Sequence, residues 1–168
     1  MTSNNLSVEA EHVLATANYP LRNRSLEKLT AFRNETRRSI TPAVERVLKM
    51  YEASIETRDI SGVTCLWVKP SRLKVDWKIF YGYGGGYVSG SPFEDLTIAV
   101  PLAAETGAEV LIPHYRLAPE SPWPAAIDDG FSVFKEMSSE PLALVGESAG
   151  GNLCLTPVSY THLTLPTT

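Results

Sequence analysis

The run Gly146-Glu147-Ser148-Ala149-Gly150-Gly151 contains the pattern Gly-x-Ser-x-Gly, with Ser148 at its centre. That spacing suits a serine placed on a sharp turn from strand to helix, where its hydroxyl stands exposed for attack on an acyl carbon. The flanking glycines relieve crowding where the serine must take a strained backbone conformation. The neighbours supply the required context. Pro141 to Val145 is a short apolar run of the kind that makes a buried strand. Small residues after the serine, from Ala149 to Gly151, let the next helix pack tightly against that strand. A plain glycine turn with a solvated serine is the competing interpretation, and the strand-turn-helix context weighs against it.

A second glycine-rich stretch follows the apolar run Ile79-Phe80-Tyr81: Gly82-Tyr83-Gly84-Gly85-Gly86-Tyr87, continuing to Gly90. Three consecutive glycines cost backbone entropy on ordering, so a packed domain must gain something from them. Close backbone approach to a ligand, with bare N–H groups aimed at a developing negative charge, is one such gain. In acyl transfer those donors form an oxyanion hole. The loop after the third strand and the N–H following the nucleophile are where such donors are expected, which nominates Gly84, Gly85 and Ala149. No Gly-Lys-[Ser/Thr] follows, so a P-loop is excluded; a purely structural glycine turn stays open.

These residues need elements to carry them. Strands are expected at about 62–68, 78–81, 109–113 and 142–145, with helices alternating among the later ones, the pattern of a mainly parallel sheet covered by helices. Residues 1–58 read as helical, with helices over Val8 to Ala17 and Ala43 to Ala53. Phe93 to Thr106 is helical in pattern, kinked or delayed by Pro101. Pro119, Pro122 and Pro124 stiffen the link from the 109–113 strand into a helix over Ala125 to Met137, where Ile127, Phe131 and Phe134 have helical spacing. Arg116 could lock that link by pairing with Glu120, Asp128 or Asp129, or these charges are simply solvated.

Three blocks together resemble the hormone-sensitive-lipase-like esterases of the α/β-hydrolase superfamily. They are Tyr83 to Gly86, Tyr115 to Glu120 continuing into Pro124 to Asp129, and Gly146 to Gly151 with Asn152 and Leu153. The resemblance spans about Asp76 to Leu155 and implies an α/β-hydrolase fold, incomplete here, acting on a small-molecule ester. It also implies that helices before the first strand form part of a cap over the site. Two positions depart from the family. Tyr83 stands where a histidine is usual, and His114 where an aspartate commonly precedes the Tyr-Arg pair.

In this architecture the triad runs in chain order serine, acid, histidine. After Ser148 there is no Asp or Glu, and the one histidine, His162, lies only fourteen positions on. His12 and His114 precede the serine, so none of the three is nominated as general base. Without a base the hydroxyl is a weak nucleophile. The chain is therefore expected to be a fragment of such an esterase, inactive alone, with a bared apolar sheet edge. A non-catalytic small-molecule-binding module on the same scaffold is the rival reading, since fold does not settle function.

Composition sets the outer limits. A net charge of −4 without a basic cluster argues against nucleic acid, and no run of 18 apolar residues exists to span a membrane. No charged region followed by an apolar stretch marks a signal peptide, so a cytoplasmic location is expected. Cys65 and Cys154 read as reduced, buried thiols. No Cys/His spacing suggests a metal, and no cofactor is expected. Composition shifts at Pro157: residues 158–168 carry no charge and four threonines, and match one reading frame of a sequencing-library transposase adapter. The expected organisation is thus an N-terminal helical cap segment over 1–58, a partial hydrolase core over 59–157 and a non-native tail over 158–168.

Overall fold

The computed structural model describes residues 25–162, with side chains described as far as Thr156. The helix expected over Val8 to Ala17 lies outside the described residues. Helix α1 spans Leu26–Tyr51, and its N-cap Ser25 accepts a hydrogen bond from the Lys28 N–H at 3.4 Å. Ile40, Val44, Val47, Leu48 and Tyr51 recur at helical spacing and form its buried stripe. The helix expected from Ala43 thus begins as early as Leu26, because the Arg and Glu residues before it are good helix formers.

Strands β1 (Ser54–Ile60) and β2 (Val63–Lys69) form a hairpin in register Ile60 to Val63. Its two-residue turn has positive φ at both Ser61 (53°) and Gly62 (82°), the type I′ geometry that matches strand twist. This corrects the reading of residues 1–58 as helical throughout, since 54–58 are strand. The sequence Ser-Ile-Glu-Thr-Arg-Asp-Ile hides the strand, because an edge strand that is mostly exposed has no apolar alternation. Its charges protect the edge: Glu56 pairs with Lys69 at 2.5 Å, and Arg58 stacks 4.0 Å from the Trp67 ring.

Strands β3 (Lys78–Gly82), β4 (Glu109–Pro113) and β5 (Leu142–Gly146) complete a five-stranded sheet of order β1-β2-β4-β3-β5. β3 pairs in parallel with both β4 and β5, whereas β2 runs antiparallel to β1 and β4. Among the described strands the sheet is mixed, not mainly parallel as expected. The hairpin imposes the β1–β2 antiparallel pair, β2 adds a second against β4, and strand direction leaves no local trace in an apolar run.

The crossovers place the helices. β3 leads through α2 (Leu96–Thr106) to β4 on one side of it, and β4 leads through α3 (Ala125–Met137) to β5 on the other. Right-handed crossovers in opposite directions put these two helices on opposite faces. α1 packs on α2, while α3 packs with α4 (Ala149–His162). Between the layers Val68, Ile79, Phe80, Val100, Val110, Ile112, Val133 and Leu153 are essentially fully buried. Pro101 sits inside α2, whose regular turns begin only at Leu96. The backbone of α4 stays helical past Pro157 to His162, across the composition shift.

Candidate active site

The parallel pairing of β3 and β5 aligns Gly82 with Gly146, so the loop leaving one strand and the turn leaving the other emerge side by side. Glycine makes that approach feasible. A Cβ on Gly150 would overlap the Gly82 carbonyl oxygen, and one on Gly82 would lie 2.5 Å from the Gly150 carbonyl oxygen. The Glu147 N–H donates to the Gly82 carbonyl at 3.2 Å, tying the turn to the neighbouring strand end. At the apex Ser148 has φ of 49° and is exposed, while the Gly150 N–H closes the turn on the Glu147 carbonyl at 2.8 Å. A non-glycine residue in this left-handed region is strained, and such strain collects at functional positions.

The glycine-rich loop folds over the same corner. Gly85 (φ 111°) and Gly86 (φ 63°) occupy conformations that side chains avoid, and the Val88 and Ser89 N–H groups close on the Gly85 carbonyl at 3.1 and 3.0 Å. Gly84 packs so closely on the Glu147 carboxylate that any side chain there would collide with it. The Tyr87 hydroxyl lies 2.8 Å from the Ala149 carbonyl oxygen and 2.9 Å from Asn152 Oδ1, which pins the loop to the first turn of α4. Ser148, Gly84, Gly85 and Ala149, nominated from far apart in the chain, are thus gathered at the C-terminal ends of β3 and β5. His114 lies elsewhere, lining a cavity of about 330 Å³ with Arg37, Leu66 and Phe93. Partial burial and the nearby Arg37 hold its imidazole below the ordinary value. His12 is outside the described residues.

Three braces hold the loop, and the sequence reading anticipated only part of them. Tyr83, at the position that departs from the family histidine, is fully buried and stacked on Tyr115. Arg116 grips Asp129 through Nε and Nη2 at 2.7–3.1 Å, and its own N–H donates to Asp129 Oδ2 at 2.8 Å. That selects Asp129 from the three carboxylates considered. Glu120 goes instead to Arg33 of α1, which also donates to the backbone oxygens of Val88 (2.8 Å) and Ala118 (2.9 Å). Arg33 lies 55 residues before Val88, and nothing in local pattern marks it among the other arginines of α1.

The anionic groups around the loop carry the mark of burial. Asp95 and Glu94 are both held above the ordinary carboxylate range, chiefly by desolvation. Burial likewise raises the Tyr81, Tyr83 and Tyr115 hydroxyls, so these act as neutral hydrogen-bond donors. A mostly apolar groove of about 400 Å³, lined by Trp123, Ile127, Phe131 and Asn152 among others, runs along α4 beside Tyr87. Among the described residues no group of three or more His, Cys, Asp or Glu is placed to hold a metal ion.

This arrangement of sheet, strained serine turn and glycine loop defines the α/β-hydrolase class. Residues 79–161 match the family model described as alpha/beta hydrolase fold, and the chain is similar to proteins named hormone-sensitive lipase, one of them solved from a metagenome library. An acetyl-hydrolase of Streptomyces hygroscopicus is 37% identical over 101 residues, covering 57% of this chain and 33% of that protein. Hormone-sensitive lipase of Homo sapiens is 32% identical over 101 residues, covering 54% of this chain and 9% of that protein. A crystal structure of an esterase/lipase from an uncultured bacterium superposes with a TM-score of 0.72 at 27% identity, over 95% of this chain and 54% of that one. The chain thus spans a third or less of these two curated relatives and about half of that solved structure.

Proposed function

We propose that the protein is a carboxylic-ester hydrolase in which Ser148 is the nucleophile and the loop at Gly84 and Gly85, with the Ala149 N–H, forms the oxyanion hole. The observation that carries this reading is the exposed Ser148 at φ 49°, on a turn whose Gly150 meets Gly82, where the glycine loop begins, backbone to backbone. Attack on an ester carbonyl forms a tetrahedral oxyanion, and N–H donors already in place stabilise it without reorganisation. Ala149 begins α4, so its N–H has no partner within the helix and is available to such an oxygen.

A histidine and an acid from outside residues 25–162 complete the triad in this proposal, and the helical N-terminal segment contributes to a cap. The substrate is a small ester and the reaction needs no cofactor. A solved relative, EstE5, was soaked with p-nitrophenyl butyrate, which makes that ester the natural probe. Full-length natural protein should release p-nitrophenol from it, and Ser148→Ala should abolish the release. Turnover that survives the substitution would remove Ser148 from the mechanism. No turnover by either protein would favour a binding module on the same scaffold.

A further inference from the structure

Four non-glycine residues among those described have positive φ. Glu52 ends α1 and Ser61 makes the hairpin turn, where the left-handed conformation is ordinary. The other two, Tyr87 (φ 60°) and Ser148 (φ 49°), lie at the candidate site. For an aromatic residue that conformation is a genuine outlier, and glycine would adopt it without strain. Tyr87 is held in it from three sides. Its carbonyl accepts the Ala118 N–H at 2.8 Å, its ring meets the Tyr115 ring edge-on with centroids 5.8 Å apart, and its hydroxyl donates to the Ala149 carbonyl at 2.8 Å. Asn152 Oδ1 lies 2.9 Å from the same hydroxyl. Burial raises the hydroxyl above its ordinary value, so it stays a neutral donor.

The geometry points to Tyr87 as a positioning residue that sets the oxyanion loop against the nucleophile turn. Two ties join these segments. At the sheet the Glu147 N–H donates to the Gly82 carbonyl at 3.2 Å, and beyond the glycines the Tyr87 hydroxyl holds the Ala149 carbonyl. Gly84 and Gly85 lie on the loop between the tied residues Gly82 and Tyr87, and Ser148 lies on the turn between Glu147 and Ala149. The loop donors and the nucleophile therefore sit within one closed ring, made from chain segments 62 residues apart. Oxyanion stabilisation depends on donors held in place before the reaction, and a misplacement of about 1 Å can lower the rate about 10²-fold. A glycine-rich loop has few side chains to hold it, and Tyr87 supplies one despite its strained backbone. This role rests on the esterase reading above and adds a residue that acts through the loop's backbone.

The test measures kcat and KM on p-nitrophenyl butyrate for the full-length wild type, Tyr87→Phe, Tyr87→Gly and Ser148→Ala. Tyr87→Phe keeps the ring and loses the tie. Its kcat should fall by about 10- to 10²-fold with KM within about threefold, because the lost stabilisation exists only in the transition state. Tyr87→Gly relieves the backbone and also removes the tie, so its kcat should fall at least as far. A residue that merely filled the loop would leave kcat at the wild-type level or above once its strain was relieved. If the glycine variant does not fold, Tyr87→Phe alone decides. Wild-type kcat in either folded variant, or a raised KM with kcat unchanged, overturns the positioning role while Ser148→Ala remains inactive. Turnover that persists in Ser148→Ala, or is absent from the wild type, overturns the esterase reading itself, and this inference with it.

Discussion

Tyr83 and Tyr115 stack with ring centroids 4.0 Å apart and planes within 3°, and each hydroxyl donates to the other's backbone carbonyl. The bonds measure 3.1 Å from Tyr83 and 2.6 Å from Tyr115. A glycine-rich loop with few side chains is thereby fastened at its first residue to the turn leaving β4. Two aromatic rings brace the loop at the position where the resembling esterases usually carry a histidine.

Tyr83→Phe keeps the stack and leaves the Tyr115 carbonyl without its donor in a dry site. The expected cost is about 1–3 kcal/mol, read from urea denaturation. An unchanged midpoint would mean that the stack alone holds the loop.

Gly150 offers a sharper test of the contact between the two site loops. In Gly150→Ala the new methyl meets the Gly82 carbonyl oxygen, part of the β3 backbone, which has no room to yield. Destabilisation of about 1–3 kcal/mol or more is expected. Gly62→Ala, where a Cβ meets nothing within 4 Å, should be strained only by its φ of 82°, so its thermal midpoint should fall less.

Arg33 couples α1 to the site. Glu120→Ala removes a partly exposed ion pair and should cost at most about 1 kcal/mol. Arg33→Ala also strips the Val88 and Ala118 carbonyls of their donor and should cost about 2–3 kcal/mol. Hydrogen exchange should quicken at Val88 to Gly90 in the arginine variant and stay near wild type in the glutamate one.

Cys65 and Cys154 are both free and buried. Burial pushes their thiols up from 9.0, to about 12 for Cys65 and about 11 for Cys154. Ellman's reagent at pH 8 should therefore react with neither in the folded protein and with both after denaturation. The unfolded thiols ionise first as pH rises. Their contribution to stability is full below pH 9.0 and is lost progressively as pH climbs through about 11 and 12. The urea midpoint should fall across that window, and Cys65→Ser should lessen the fall.

Much of this arrangement was readable along the chain. Ser148, the glycines on either side of it and the glycine loop after β3 are local patterns, each written within a few residues, and they lie at the ends of the paired strands β3 and β5. The apolar runs that became β2, β3, β4 and β5 carry their own signal because both faces of a covered sheet are dry. β1 had no such signal, since its outward position leaves five of its seven residues exposed, three of them charged.

Partnerships across the chain were another matter. The pattern leaves Arg116 either solvated or paired with one of three carboxylates, and the choice of Asp129 over Glu120 and Asp128 depends on where the N-terminal part of α3 meets the turn after β4. Arg33, Tyr87 and Asp95 each act on groups that local pattern does not connect to them, and their residue types are ordinary for a helix, a loop and a cap. A covalent pattern of glycine and serine encodes its own geometry, because backbone sterics act between neighbours. Which hydrogen-bond donors and acceptors find one another is decided when the sheet order β4-β3-β5 brings separate strand ends together, and that order follows from the packing of the whole chain.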